Sequence, residues 1–486
     1  PQTGPISIGK KQYTTEFSKG KGWVIESGPS GTKKYKIEQV LGGKDVYYFL
    51  TRFESGHLQT LPVGFDSRQK KWFDVAESAV RHAGGIVDSA LHWTDRAYTF
   101  NTSCYSCHVS QLKNSYDEKT DTYRTAWEEP GINCETCHGP SSEHNKAFKL
   151  AGRRGKPKDL KLISMKNFTH EQVNAQCSFC HAKMMPISNG FMPGDKYFDH
   201  FDLTTMEDQD FYPDGRELGE CYTYTTWRTS PCVKSGQLDC MHCHTSSGRY
   251  RFHADSVANN ACMPCHQGIV EKPSVHHRHS DKTKCISCHL PMTEFGRMRR
   301  SDHSLRPPTP ATSMVYGSPN ACILCHTDKK DAWADSCVRK WHKDDYQAPY
   351  LYRAALIAEA RHGDWGRLEE MLAYIADTTH DEMYANGLIR LLRNCNDQRK
   401  WPALIAACTD KSPLIRSSAA DACGSYYTSE SVAALVKALR DDYRLVRIRA
   451  VYSLFGAPKQ FLSDPVVQAD MKKAESEFLA AMGVAP

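Results

Sequence analysis

The hydrophobic rhythm of the chain changes twice. Up to about residue 100 apolar positions alternate over short runs. Tyr35, Ile37 and Gln39-Val40 lead into Gly42-Gly43, and Val46-Tyr47-Tyr48-Phe49-Leu50 follows. Period two on both sides of a glycine pair predicts a β-hairpin. Leu58 to Val63 and Trp72 to Val75 predict a second short strand pair, so residues 1–100 read as a small β-rich subdomain. From about 101 to 330 almost no segment keeps either period for more than two turns, and Cys, His, Gly and Pro dominate. A span of that length stays compact only if something other than secondary structure fills its centre. From about 345 onward the rhythm becomes that of amphipathic helix.

The helical part repeats. Asp410, Leu414-Ile415-Arg416 and Ala419-Ala420 return 31 residues later as Asp441, Leu445-Val446-Arg447 and Ala450-Val451, with a weaker copy around Met383 and Gly387-Leu388. The pattern resembles HEAT-type helical hairpins, whose stacks build extended binding faces. An irregular helical bundle is the alternative. On the first reading residues 345–486 form a separable module that docks partners through Arg416, Arg447 and Arg449 and binds no cofactor.

Length allows two or three domains, and 40% of the 486 residues are hydrophobic. No run is long and apolar enough to predict a transmembrane segment in this chain. A net charge of +6 from 62 basic and 56 acidic residues, with no basic block, argues against nucleic acid as a partner. The chain begins at Pro1, which predicts a removed signal peptide or a natural N-terminus further upstream.

Twenty cysteines change the picture through their spacing. Cys-x-x-Cys-His occurs seven times: Cys104/Cys107/His108, Cys134/Cys137/His138, Cys177/Cys180/His181, Cys240/Cys243/His244, Cys262/Cys265/His266, Cys285/Cys288/His289 and Cys322/Cys325/His326. Composition alone predicts about 0.04 matches. The spacing suits c-type haem: two thiols reach two vinyl groups on one porphyrin edge, and the histidine directly after them donates a nitrogen to iron. Zinc sites do not demand a histidine after every pair, and redox dithiols show one pair, not seven. The expected cofactors are seven haem c groups with their iron. Their propionates add negative charge that the sequence count omits.

Attachment of haem c places the chain in the periplasm or outside the cell. Cys221 and Cys232 are close enough to close a short loop, and Cys337, Cys395, Cys408 and Cys423 lie near or within the helical part. Disulfides and buried thiols are both open readings for them. Fifteen histidines lie outside the motifs: His57, His82, His92, His144, His170, His200, His242, His253, His276, His277, His279, His303, His342, His362 and His380. Thirteen of these precede residue 345, so the supply of sixth ligands exceeds the demand of seven irons.

Residues from about 35 to 345 resemble multihaem cytochromes that carry C-terminal helical repeats and are related to the tetrahaem cytochromes of hydroxylamine oxidation. The matching phrases are Leu58-Gln59-Thr60-Leu61-Pro62, Leu91-His92-Trp93-Thr94, Gly131-Ile132-Asn133 before Cys134, and His138-Gly139-Pro140 with His144. Asp302-His303-Ser304 ahead of Pro307-Pro308, and Ser318-Pro319-Asn320-Ala321 before Cys322, complete the set. The resemblance implies distal ligand roles for His144, His253, His303 and one or more of His276, His277 and His279, with His92 and His200 next. Two features depart from the family. Its usual first haem motif would lie upstream of Pro1, and its repeats are often tetratricopeptide rather than HEAT-like. The expected architecture is mainly α and irregular and haem-cored: a β-rich subdomain at 1–100, a seven-haem cytochrome domain at 101–344 and a HEAT-like α-helical repeat domain at 345–486.

Motif separations of 30, 43, 63, 22, 23 and 37 residues leave little protein between haems, so the first functional expectation is electron transfer along a haem chain, mostly bis-His ligated. The expected partners are redox proteins, other cytochromes among them. A reductase or oxidase of a small nitrogen or sulfur compound, with one open haem and Arg278, His279 or Tyr250 nearby, is the alternative. A homo-oligomer or extracellular cytochrome filament is the third.

Overall fold

The computed structural model describes residues 4–81, 88–113, 115–152, 155–219 and 222–484. His82 and Cys221 lie outside the described residues. The chain divides into two compact units, residues 1–163 with 294–300 and residues 164–293 with 301–485. This division does not follow the expected boundaries at 100 and 344. The first two haem motifs share a unit with the N-terminal sheets, and the other five share one with the helical repeats.

Two antiparallel sheets open the first unit. One runs β1 (Ile6–Ile8), β2 (Lys11–Ser18), β3 (Lys21–Gly28) and β4 (Gly31–Lys36) in chain order. Pairing of Ser18 with Lys21 leaves a two-residue loop, and Lys19 and Gly20 both take positive φ (51° and 73°), the turn that matches strand twist. Lys33, Lys34 and Lys36 line the β4 edge and discourage further pairing. The other sheet holds β5 (Gln39–Gly42), β6 (Val46–Arg52), β7 (Leu58–Thr60), β8 (Val63–Asp66) and β9 (Lys71–Asp74). The predicted glycine-turn hairpin is β5–β6, with Gln39 opposite Leu50, whereas Tyr35 belongs to β4. The second expected pair appears as β8–β9, while β7 pairs with β6. Leu50, Leu58 and Phe100 pack together against Cys104 and Tyr105, which seats the first haem motif on the sheet.

In the second unit the repeats form eight helices: α1 (Ala348–Arg361), α2 (Leu368–Ala376), α3 (Glu382–Leu391), α4 (Trp401–Ala407), α5 (Pro413–Cys423), α6 (Ser429–Ala438), α7 (Arg444–Leu454) and α8 (Pro465–Met482). Helices α1, α3, α5, α7 and α8 pack in succession, as do α2, α4 and α6, giving the two layers of a helical-hairpin stack. The first layer faces the motif-bearing segment of the unit: α3 packs on the helix Thr223–Thr229 and α7 on residues 197–199. Phe198, Phe201, Leu203, Met206 and Trp227 share one continuous core with Leu356, Leu388, Ile415 and Val451.

Charge locks the same face. Arg390 and Arg449 both reach the carboxylate of Asp202 at 2.5 Å, and Arg390 also reaches Glu207 at 2.6 Å. Arg416 is paired with Asp441 at 2.6 Å and Arg447 with Glu477 at 2.7 Å, one repeat further on. The three arginines expected on a docking face therefore stitch the repeats to each other and to Asp202 in the motif-bearing segment.

Burial alone would raise the Asp202 carboxyl, but Arg390 and Arg449 outweigh it and hold it below the ordinary range. Its stabilising contribution is then full above the unfolded aspartate value of about 4 and is lost as pH falls further. Asp202→Ala should cost about 3–5 kcal/mol, because two guanidinium groups lose a buried partner. Denaturant unfolding at pH 7 checks this, and the difference from the unmodified chain should shrink in acid. A chain ending at residue 344 should lose haem attachment at motifs three to seven, read by intact mass, because its core is half removed.

Candidate haem-binding site

Each motif is bent as one turn. The backbone N–H of His244, His266 and His326 donates to the carbonyl of the first cysteine of its own motif, at 3.0, 3.0 and 2.9 Å. Positions i, i+3 and i+4 of such a turn share a face, so both sulfurs and the imidazole point the same way. Local caps hold the turns in place: Asn133 and Thr136 make a capping box over Cys134–His138, Asp239 accepts from Met241 at 2.8 Å, and Asn320 accepts from Cys322 at 3.0 Å.

None of the nineteen described cysteines is joined in a disulfide. Cys395, Cys408 and Cys423 are buried thiols, and Cys232 and Cys337 are half-buried ones. Identical spacing does not give the motif cysteines identical surroundings. Among the second cysteines, Cys107, Cys137, Cys180, Cys243 and Cys288 are half-buried, whereas Cys265 and Cys325 are exposed. Cys107, Cys137 and Cys180 sit on the helices Tyr105–His108, Cys134–His138 and His170–His181. Motifs five and seven turn outside any α-helix, and that leaves Cys265 and Cys325 open to solvent. Burial pushes the Cys243 thiol up to about 11 and raises that of Cys288 as well. Among the described residues, no group of three or more His, Cys, Asp or Glu is placed to hold a metal ion. The structure therefore does not gather Cys107, Cys137, Cys180, Cys265 or Cys325 into a ligand cluster, and their expected role as haem anchors rests on motif spacing. Thioether chemistry accounts for the difference, because these sulfurs bond porphyrin carbon and not iron.

Three motif histidines face a second imidazole. His244 faces His303 with ring centres 6.4 Å apart and planes 28° apart, His289 faces His276 at 6.0 Å and 20°, and His326 faces His279 at 6.0 Å and 47°. Two nitrogens bonded to one metal ion at about 2 Å each, with each ring centre about 1 Å further out, set ring centres about 6 Å apart. The separation fits an iron between the rings.

The ring nitrogens are oriented accordingly. Nδ1 of His244 donates to the Gly248 carbonyl at 3.0 Å, Nδ1 of His289 to Arg306 at 3.1 Å and Nδ1 of His303 to Ser301 at 2.8 Å. His138 and His144 do the same towards Ile163 at 2.9 Å and Leu160 at 2.6 Å. A ring that donates through Nδ1 keeps the lone pair on Nε2, as metal-binding histidines require. Burial also pushes the rings of His108, His181, His276, His279, His289 and His303 below the ordinary histidine value, so they are neutral at pH 7.

Residues 301–306 serve two of these sites. They carry His303, and the Arg306 carbonyl orients His289. Buried ion pairs fix the segment: Asp302 with Arg216, and Arg306 with the Asp214 carbonyl and carboxylate. Burial would raise Asp302, but Arg216 and then Arg306 hold it low.

Of the other expected distal ligands, His253 is exposed, and exposed His92 bonds Thr94 through Nδ1 at 2.7 Å. His200 is buried, with Nδ1 towards Ser188 at 3.1 Å and Nε2 towards Asp195 at 3.2 Å. His277 lies between the two ligand-like rings, and its Nδ1 accepts from the His279 N–H at 3.2 Å. Sequence reasoning passed over His170, whose Nδ1 meets the Asp239 carboxylate at 2.6 Å, directly ahead of Cys240. A carboxylate-backed imidazole is a ligand signal, but its partner is 69 positions away in sequence. Among the described residues no second imidazole stands in ring contact with His108, His138, His181 or His266.

Comparison with known proteins finds two matching segments. Residues 69–139 match the family of cytochrome c554 and c-prime, and residues 367–454 match HEAT repeats. The chain is thus similar to cytochrome c554 and c-prime over one short segment and to HEAT repeats over another. Among individual proteins, it is 24% identical over 205 residues to the multihaem cytochrome MtrA of Shewanella baltica (strain OS185), covering 38% of this chain. The match spans 52% of that relative, about half its length. The crystal structure of the outer cell wall cytochrome OcwA aligns over 89% of this chain and 86% of its own, with a TM-score of 0.42 and 14% identity.

The His244/His303 pair yields a direct expectation. His303→Ala should leave covalent haem attachment intact, read by intact mass, and convert one centre from low-spin to high-spin, read by electron paramagnetic resonance.

Proposed function

We propose that the protein transfers electrons through seven covalently held c-type haems, most of them ligated by two histidines, in the periplasm or outside the cell. The observation that carries this reading is the set of three motif histidines facing a second neutral imidazole at 6.0–6.4 Å. Bound at these motifs, haem supplies an iron that alternates between ferrous and ferric states. The chain's own residues hold and tune it. The paired cysteines anchor, Cys265 and Cys325 at the surface and Cys107, Cys137 and Cys180 further in. The carbonyls of Gly248, Ser301 and Arg306 keep Nδ1 protonated and Nε2 available, and imidazole on both faces excludes small substrates. His279 faces His326, so it is spent as a ring partner rather than left to work as an acid beside Arg278. Redox proteins, other cytochromes among them, are the partners this reading expects.

A second reading, a reductase of a small nitrogen or sulfur compound, draws support from the four motif histidines without a facing ring. Electron paramagnetic resonance of the purified, fully matured protein separates the two. The carrier reading expects seven haems by mass and predominantly low-spin signals unchanged by nitrite or hydroxylamine. A large high-spin signal that shifts on adding either compound would favour the reductase.

A further inference from the structure

Two motif junctions in the second unit share a contact that the haem chemistry itself does not require. Asn174 stands three residues before Cys177, and its Oδ1 accepts the backbone N–H of Cys240 at 3.0 Å. Asn259 stands three residues before Cys262, and its Oδ1 accepts the backbone N–H of Cys285 at 2.9 Å. In each case an asparagine leading one motif caps the first turn of the next. The intervening chain differs greatly, 66 positions in the first case and 26 in the second. The same device therefore closes two unlike loops.

At both junctions the contact ties the leading segment of one motif to the first cysteine of the next. The Cys240 thiol also donates to Asn174 Oδ1 at 3.1 Å. Once that sulfur is bonded to a porphyrin carbon its hydrogen is gone, and the backbone contact is the one that persists. Asn259 is further steadied through its amide, which donates to the Thr283 carbonyl at 3.4 Å. The remaining motif of the unit is capped by its own Asn320 and makes no such bridge.

We infer that motifs three and four, and motifs five and six, are two copies of one two-haem module, in which Asn174 and Asn259 are positioning residues that set the close approach of the paired haems. The inference rests on the haem reading above and adds the pairing within it. A cap lost at such a site frees the trailing turn to shift, and the distance between neighbouring redox centres is what electron transfer depends on most steeply. Asparagine to leucine removes the acceptor at similar size. Asparagine to aspartate keeps an acceptor oxygen in place and is the conservative control.

The test uses the full-length, matured protein. Asn259→Leu should retain seven attached haems and low-spin ligation. It should lose the magnetic interaction between the motif-five and motif-six centres and the splitting of their potentials in a stepwise redox titration, while the motif-three and motif-four pair keeps both. Asn259→Asp, which keeps the acceptor for Cys285 and gives up the longer 3.4 Å contact to Thr283, should keep the interaction, and Asn174→Leu should show the reverse selectivity. Unchanged interaction in Asn259→Leu, or an Asp variant that behaves like Leu, would overturn the inference. If Asn259→Leu does not mature, Asn259→Ser decides on the same readout, since its shorter acceptor should weaken the interaction. A chain without covalent haem would overturn the function reading itself, whereas intact low-spin haems with unaltered pairing would overturn this inference alone.

Discussion

Two imidazole rings held about 6 Å apart, each with one nitrogen tied to a backbone carbonyl and the other left free, form the constraint on which the second unit is built. Three of these rings are fixed from behind: His244 by Gly248, His303 by Ser301 and His289 by Arg306. The supporting carbonyls must then be rigid. The segment 301–306 shows how that is achieved, with Asp302 and Arg306 sunk into a buried network of ion pairs with Arg216 and Asp214. Breaking one member would leave a buried charge unpartnered, so the network resists distortion more than it adds net stability.

The helical repeats fit the same logic. A chain rich in Cys, Gly and Pro has little apolar surface of its own with which to order an iron-binding bed. The first helical layer provides that surface, since Leu356, Leu388, Ile415 and Val451 share a core with Phe198, Phe201, Leu203 and Met206. Arg390 and Arg449 then converge on Asp202 across the same boundary within the unit. The repeats act as a wall for the haem-bearing chain.

What was legible in the sequence follows from where each constraint is written. The seven motifs could be read because thioether chemistry fixes the spacing of Cys and His within five residues. Their surroundings could not: Cys180 is half-buried and Cys325 exposed at identical spacing. The HEAT pattern could be read because stacking repeats one set of contacts every 31 residues. The pairing of His244 with His303, or of His326 with His279, depends on tertiary approach, and fifteen spare histidines gave no means of choosing among them. His200 has the residue type of a ligand but is committed to Ser188 and Asp195, neither of which proximity to a motif reveals. The arginines were misread although a signal existed: Asp441 lies 25 positions after Arg416 and Glu477 lies 30 after Arg447, close to the repeat period. The four-stranded N-terminal sheet was passed over because its lysine-rich strands show few apolar positions; the Lys19-Gly20 turn was its clearest mark.

Anomalous diffraction at the iron absorption edge, recorded from crystals of the matured protein, tests the central claim most directly. The account predicts iron peaks midway between His244 and His303, between His276 and His289, and between His279 and His326, with one further iron beside each of His108, His138, His181 and His266. Irons bound at the motif histidines with His303, His276 and His279 turned away, or no iron at those midpoints, would contradict it.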